Sequence, residues 1–139
     1  MKLKLICIGK LKDYKERIDE YSKRINHYSK FEVLELKDSD PKAESKKILE
    51  KIGNEYVIIL SEEGKNLSSV EFANTLQKIN KDIVFIIGGP YGIDESIRKK
   101  ADMILSLSRM TFPHDMARLV FVEQLYRAYT IIKNEKYHK

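Results

Sequence analysis

Hydrophobic positions along this chain switch repeatedly between the short period of strands and the longer period of helices. Lys2 to Ile8 is an apolar run closed by Gly9 and predicts a first strand. From Tyr14 to Tyr28, Ile18, Tyr21, Ile25 and Tyr28 recur every three or four residues, the stripe of an amphipathic helix. Phe31 to Leu36 interleaves Phe31, Val33, Leu34 and Leu36 with acids, a strand near a sheet edge. Ser39-Asp40-Pro41 is a helix start, with a charged face out to Ile52. Tyr56 to Leu60 is wholly apolar, as expected at the centre of a parallel sheet.

The second half repeats the alternation. A helix opens at Leu67-Ser68-Ser69-Val70-Glu71 and runs to Ile79, with Ser68 and Glu71 at capping-box spacing. Ile83 to Ile87 is the strongest strand signal and runs directly into Gly88. A helix over Asp94 to Lys100, a strand near Met103 to Ser106, a loop, and a long helix from about Pro113 to Ile132 complete the pattern. Strands separated by helical crossovers predict one α/β domain, residues 1–139, with a mostly parallel sheet. Neither linker nor repeat interrupts it.

Composition narrows the picture only a little. Charged residues make up 34% and apolar residues 42%, an ordinary globular balance. No apolar run is long enough to span a bilayer, and the first one is shorter than a signal-peptide core and followed at once by Lys10 and Lys12, so a cytoplasmic protein is expected. The single Cys7 excludes an internal disulfide and a cysteine-clustered metal site, and its apolar setting makes it a buried small hydrophobe. No metal is expected. A net charge of +5 suits a polyanionic partner without demanding one.

In parallel sheets ligands bind beyond the carboxyl ends of the strands. Three loops should leave those ends: Ser61 to Lys65, Gly88-Gly89-Pro90-Tyr91-Gly92, and Leu107-Ser108-Arg109-Met110-Thr111-Phe112. The glycine loop lacks the Gly-Lys-Ser/Thr of a phosphate loop, and Pro90 breaks the dinucleotide spacing. It fits a ligand read by backbone amides and apolar walls, such as an adenosine with a sulfonium tail; a tight ligand-free turn is the alternative. Leu107, Met110 and Phe112 are apolar in a segment that must turn before Pro113, so they line a pocket or pack beneath the last helix.

On that helix Arg118 shares a face with Val122, Leu125 and Tyr129, while Glu123, Gln124, Arg127 and Thr130 form a narrow polar strip. So apolar a circumference needs more cover than one sheet supplies, which predicts a homodimer packed through this helix. Arg118 is either a functional group at the cofactor end of that interface or a salt-bridged structural arginine. His114 and His27 read as structural and surface residues. The tail Lys133 to Lys139 combines cations, Tyr137 and His138, a pattern that suits RNA but also an ordinary frayed end.

Together, Gly88 to Gly92 after Ile83–Ile87, the run Leu107-Ser108 to Thr111-Phe112-Pro113-His114, Glu123-Gln124-Leu125-Tyr126-Arg127-Ala128-Tyr129, and the terminal Tyr137-His138-Lys139 closely resemble the ribosomal RNA large subunit methyltransferase H family. These are the smallest SPOUT enzymes, and the likeness runs from Met1 to Lys139. The resemblance implies a Rossmann-like sheet with a C-terminal trefoil knot. It implies a homodimer that moves a methyl group from S-adenosylmethionine to N3 of a pseudouridine in 23S ribosomal RNA, within the ribosome. Cofactor contacts then fall on Leu60, Gly88, Gly89 and Leu107, Ser108, Arg109, Met110, Thr111 and Phe112. Tyr137 and His138 belong to the tail that completes the active site, with His138 the candidate for proton removal and Arg127 or Arg118 for anion or phosphate contact. The chain is shorter than many members before Tyr56 and before Ile83, and ends in Lys139 where some carry Arg. The rival readings are a non-catalytic RNA-binding or ribosome-associated module and a flavodoxin-like protein, for which Gly9-Lys10-Leu11-Lys12 offers little phosphate cradle.

Overall fold

A computed structural model describes residues 1–89 and 92–138. Pro90, Tyr91 and Lys139, which belong to two of the motifs above, lie outside the described residues.

Five strands, β1 (Lys2–Ile8), β2 (Lys30–Leu36), β3 (Tyr56–Asn66), β4 (Ile83–Ile87) and β5 (Met103–Ser106), form one parallel sheet in the order β2-β1-β4-β3-β5. The helices are α1 (Lys15–Asn26), α2 (Pro41–Glu50), α3 (Ser69–Lys78), α4 (Glu95–Arg98) and α5 (His114–Ile132). All five residues of the central β4 are buried, which is why its sequence is continuously apolar. Successive side chains point to opposite faces. Leu3, Leu5, Cys7, Ile58, Ile83, Phe85 and Ile87 pack under α1, α3 and α5; Ile6, Ile8, Val57, Ile59, Val84 and Ile86 pack under Ile48 of α2 and Ile97 of α4. Each such side chain contributes about 1.5–3 kcal/mol by leaving water. Burial also pushes the Cys7 thiol up to about 12, so it is an inert core group.

Local chemistry starts the helices where the pattern places them. Asp40 accepts from the Ala43 N–H at 3.0 Å with Pro41 in the first turn, and Ser68 and Glu71 cap each other reciprocally at 3.1 and 2.8 Å. The helix α5 lies between α1 and α3, with Phe121 against Phe85 at 4.8 Å between ring centroids.

Three details depart from the sequence reading. The stretch Ser61–Lys65 is part of β3 rather than a loop beyond it. Leu105 pairs with both Leu60 and Lys65, so Ser61–Gly64 is an excursion inside the strand. Its polar residues carry no alternation, but Gly64 betrays the close approach: a Cβ there would sit 2.6 Å from the Ile104 carbonyl oxygen. The helix α4 is a single turn, shorter than Asp94 to Lys100. Thr130 is not on the open strip of α5; it is fully buried, and its hydroxyl donates to the Arg127 carbonyl at 2.7 Å.

Candidate active site

The carboxyl ends of β3, β4 and β5 open on one cavity of about 120 Å³. Leu60, Ile87, Leu107 and Phe112 give it apolar walls, and Ser61, Glu62, Ser108 and Thr111 supply polar groups. Ala117, in the first turn of α5, closes the floor. A second hollow of about 260 Å³, between α3 and α5, shares Leu107 as its wall and includes Ser106, Val120 and Gln124. The two together reach the range of small-molecule sites. A hollow of similar size at the amino ends of the strands, among Lys2, Lys4, Lys30, Glu32, Glu55 and Asp82, has a charged wall, with Lys4 and Glu55 paired at 3.2 Å. It lies away from the carboxyl ends of the strands, where sheets of this kind bind ligands.

The segment after β5 is a built loop. The Ser106 hydroxyl donates to the Ser108 carbonyl at 2.9 Å, the Met110 N–H donates to the Ser108 hydroxyl at 2.9 Å, and the Thr111 hydroxyl donates to Glu62 on the β3 excursion. Arg109 and Met110 are exposed at its tip, Met110 at 76%. An apolar side chain so exposed at a cavity mouth is available to close over a ligand. Gly88 and Gly89 follow Ile87 at the rim. A Cβ on Gly88 would lie 2.7 Å from the Ile93 side chain and 3.0 Å from the Gly92 carbonyl oxygen, and one on Gly89 would lie 2.9 Å from the Ile8 side chain, so a larger residue at either position displaces a neighbour. The Gly92 N–H closes the turn on the Gly89 carbonyl at 2.9 Å, with Gly92 at φ +76°. Leu60, Leu107, Ser108, Met110, Thr111 and Phe112 are thus gathered around one cavity, with Gly88 and Gly89 at its rim and Arg109 on its outer side.

Arg127, Tyr137 and His138 form a second cluster around Glu123. Arg127 donates to Glu123 at 2.7 Å, and the Tyr137 hydroxyl donates to the same oxygen at 2.7 Å. Arg127 Nη1 stands 3.1 Å from His138 Nδ1, and its guanidinium lies 4.9 Å from the centroid of the Tyr137 ring. Tyr126 packs edge-on to Tyr137 at 4.7 Å. The Glu123 hydrogen bond pushes the Arg127 guanidinium up, and burial, with the bonds to Tyr21 and Glu123, pushes the Tyr137 hydroxyl well above the usual phenol range. Both keep their protons at any working pH. Guanidinium can only donate, so His138 Nδ1 accepts and the ring proton sits on Nε2 while this pair is intact.

The cluster lies farther along α5 than the cavity of Leu60 and Phe112: between Ala117 and Arg127 the helix advances about 15 Å. The second hollow extends toward it, since Gln124 in its wall donates to Glu123 at 3.0 Å. Arg118 belongs to neither: 1% exposed, it pairs with Glu35 and donates to the Gly9 carbonyl at 3.2 Å. His114 lies 3.6 Å from Asp115, and its Nε2 is buried with no partner among the described residues; His27 is on the surface. Sequence reading placed Glu123 only on a polar strip. Its spacing from Arg127 signals an i,i+4 pair, but nothing in the pattern shows the tail folding back onto it.

The family described as "Predicted SPOUT methyltransferase" matches residues 1–138. A protein of Flavobacterium johnsoniae named ribosomal RNA large subunit methyltransferase H is 47% identical, and one of the same name from Pseudothermotoga lettingae is 40% identical, each match covering 99% of both chains. The chain belongs to this family. Its fold agrees with that of a probable methylase family protein from Haemophilus influenzae (TM-score 0.57, 14% identity, 99% of this chain and 70% of that one). It agrees equally with a tRNA (m1G37) methyltransferase from Aquifex aeolicus (TM-score 0.55, 20% identity, 91% of this chain and 70% of that one). The parallel sheet with helices on both faces is therefore the SPOUT α/β architecture. Among its described residues no helix is long and apolar enough to cross a membrane.

Proposed function

We propose that this protein transfers a methyl group from S-adenosylmethionine to N3 of a pseudouridine in 23S ribosomal RNA, as a homodimer acting in the cytoplasm on the ribosome. The observation that carries this reading is full-length identity of 40–47% to proteins named for large-subunit ribosomal RNA methylation, joined to a cavity at the family's strand ends. The apolar walls at Leu60, Leu107 and Phe112 suit an adenine, and the polar groups at Ser61 and Ser108 suit a ribose and an amino-acid tail. The close-packed glycines at Gly88 and Gly89 leave backbone amides at the rim. The donor supplies an electrophilic methyl on a sulfonium, which departs as a neutral thioether.

The residues of the chain then have to hold the ring nitrogen in line with that methyl and support its lost proton. Alignment alone lowers the barrier by several kcal/mol, of order 7–11 in favourable cases. The N3 proton is weakly acidic, and charge spreads onto the flanking carbonyls as it leaves. Sequence reading gives His138 the role of proton acceptor. With Arg127 donating to Nδ1, the intact pair favours His138 Nε2–H as a donor to the developing anion, beside the Arg127 cation, while the N3 proton passes to solvent water. Tyr137 then holds Glu123 and the imidazole in place. Arg118, tied to Glu35, acts as a support for the site.

In the proposed homodimer a working site takes the cavity around Leu60 and Phe112 from one protomer and the tail from the other, a reading that the roughly 15 Å of helix between Ala117 and Arg127 favours. Met116, exposed on the outer side of α5, suits the shared face. A trefoil knot, which the family likeness implies, accompanies this reading. Transfer of labelled methyl from S-adenosylmethionine to intact ribosomes, compared with naked ribosomal RNA and followed by mapping of the modified base, tests the proposal. Labelling of one pseudouridine at N3 is expected. RNA binding without any methyl transfer would instead leave a non-catalytic RNA-binding module.

A further inference from the structure

We infer that the loop Gly9–Tyr14, which joins β1 to α1, is a second RNA-contact element, with Lys10 and Lys12 on phosphates and Tyr14 stacked on a base. This rests on the RNA substrate proposed above and adds a surface to it. The loop leaves β1 beside the end of β4, since Cys7 pairs with Ile87, so it borders the glycine turn at the cavity rim.

Its backbone is gripped by charged groups from elsewhere in the fold. Asp115 accepts the Lys12 and Asp13 N–H groups at 3.0 and 2.9 Å, Glu35 accepts the Leu11 N–H at 3.2 Å, and buried Arg118 holds both Glu35 and the Gly9 carbonyl. These carboxylates bind backbone, so the lysines are left turned outward. Lys10 and Lys12 are exposed and make no ion pair among the described residues, while Lys15 pairs only loosely with Asp19 at 3.5 Å, both on the surface. Tyr14 is 41% exposed and held at φ +68°, a left-handed conformation that disfavours an aromatic residue and that recurs at functional sites. Cations interleaved with an exposed aromatic match the chemistry of single-stranded RNA, whose bases stack and whose phosphates need neutralising. Asp115 and Arg118 also lie in the first turns of α5, directly after Phe112, so the RNA contact and the cavity share one rigid support.

The test compares wild type with the double variant Lys10→Glu/Lys12→Glu and with Tyr14→Gly. Lys78→Glu/Lys81→Glu, equally exposed at the opposite end of the sheet, controls for net charge. Affinity for large subunits and for protein-free large-subunit RNA is measured across a salt series, with kcat, KM and S-adenosylmethionine binding on the same samples. The loop pair should lower RNA affinity about tenfold or more and reduce the salt slope by about two, with donor binding and kcat within about twofold. Tyr14→Gly should raise KM several-fold while the melting midpoint holds or rises, because glycine adopts this φ without strain. Equal effects from both lysine pairs, no effect from either, or a loss confined to particles that spares protein-free RNA would each overturn the assignment. The last outcome would make the partner a ribosomal protein. Wild-type protein that binds the donor yet neither binds nor methylates the RNA would fail the functional reading itself, a distinct result that overturns both.

Discussion

Glu35 illustrates how one residue can be ordinary in sequence and decisive in structure. Burial raises its carboxyl, but hydrogen bonds from Arg118 and the Leu11 N–H outweigh this and leave it below its usual value. A carboxylate depressed in the fold adds stability above its unfolded pKa and loses it as pH falls through the folded one. Stability should therefore drop below about pH 4, and acid titration of Glu35→Gln by circular dichroism should show a shallower fall over that window. Glu35→Ala, which strands buried Arg118, should cost about 2–3 kcal/mol in urea denaturation, less than a fully buried pair because Glu35 keeps solvent contact. On the catalytic side, Arg127→Ala should lower kcat by roughly a hundredfold with donor affinity unchanged, read by single-turnover transfer and calorimetry. Sequence alone weighed Arg118 evenly between function and structure, because periodicity gives a face but not a partner. The partner, Glu35, comes from the far end of the sheet, and no spacing rule reaches it.

At the scale of elements, the five strands and their crossovers were legible because burial on both faces imposes unbroken apolar runs. The helix starts were legible because Asp40, Ser68 and Asp94 each cap their own backbone. The excursion in β3 was not, since Ser61–Gly64 answers to a tertiary neighbour, β5, and its polar residues signal a loop. Gly64→Ala tests that neighbour directly. The added methyl meets backbone that cannot rotate away, so a loss of about 1–3 kcal/mol is expected from thermal denaturation. Glu62 on the same excursion holds Thr111, so the KM for the methyl donor should rise in parallel. The cavity loop was readable as an oddity, three apolar residues where a turn should be polar; that it wraps Leu60 and Ile87 needed the sheet order.

For the whole molecule the central issue is the length of α5. One subunit carries a cavity at the start of this helix and a Glu123–Arg127–Tyr137–His138 cluster along its far half, about 15 Å of helix further on. Sequence reading anticipated a dimer from the helix's apolar circumference, and the proposed composite site would give such a dimer a chemical purpose. Met116→Glu, on the exposed side of α5, should shift the protein toward monomer in analytical ultracentrifugation and remove most methyl transfer. The most direct measurement mixes two inactive variants, Phe112→Glu with a spoiled cavity and Arg127→Ala/His138→Ala with a spoiled tail cluster, after unfolding and refolding together. If cavity and tail come from different protomers, half of the dimers are mixed and each has one intact site, so methyl transfer should recover to about a quarter of wild type. No recovery, with mixed dimers verified by mass spectrometry, would contradict the composite site.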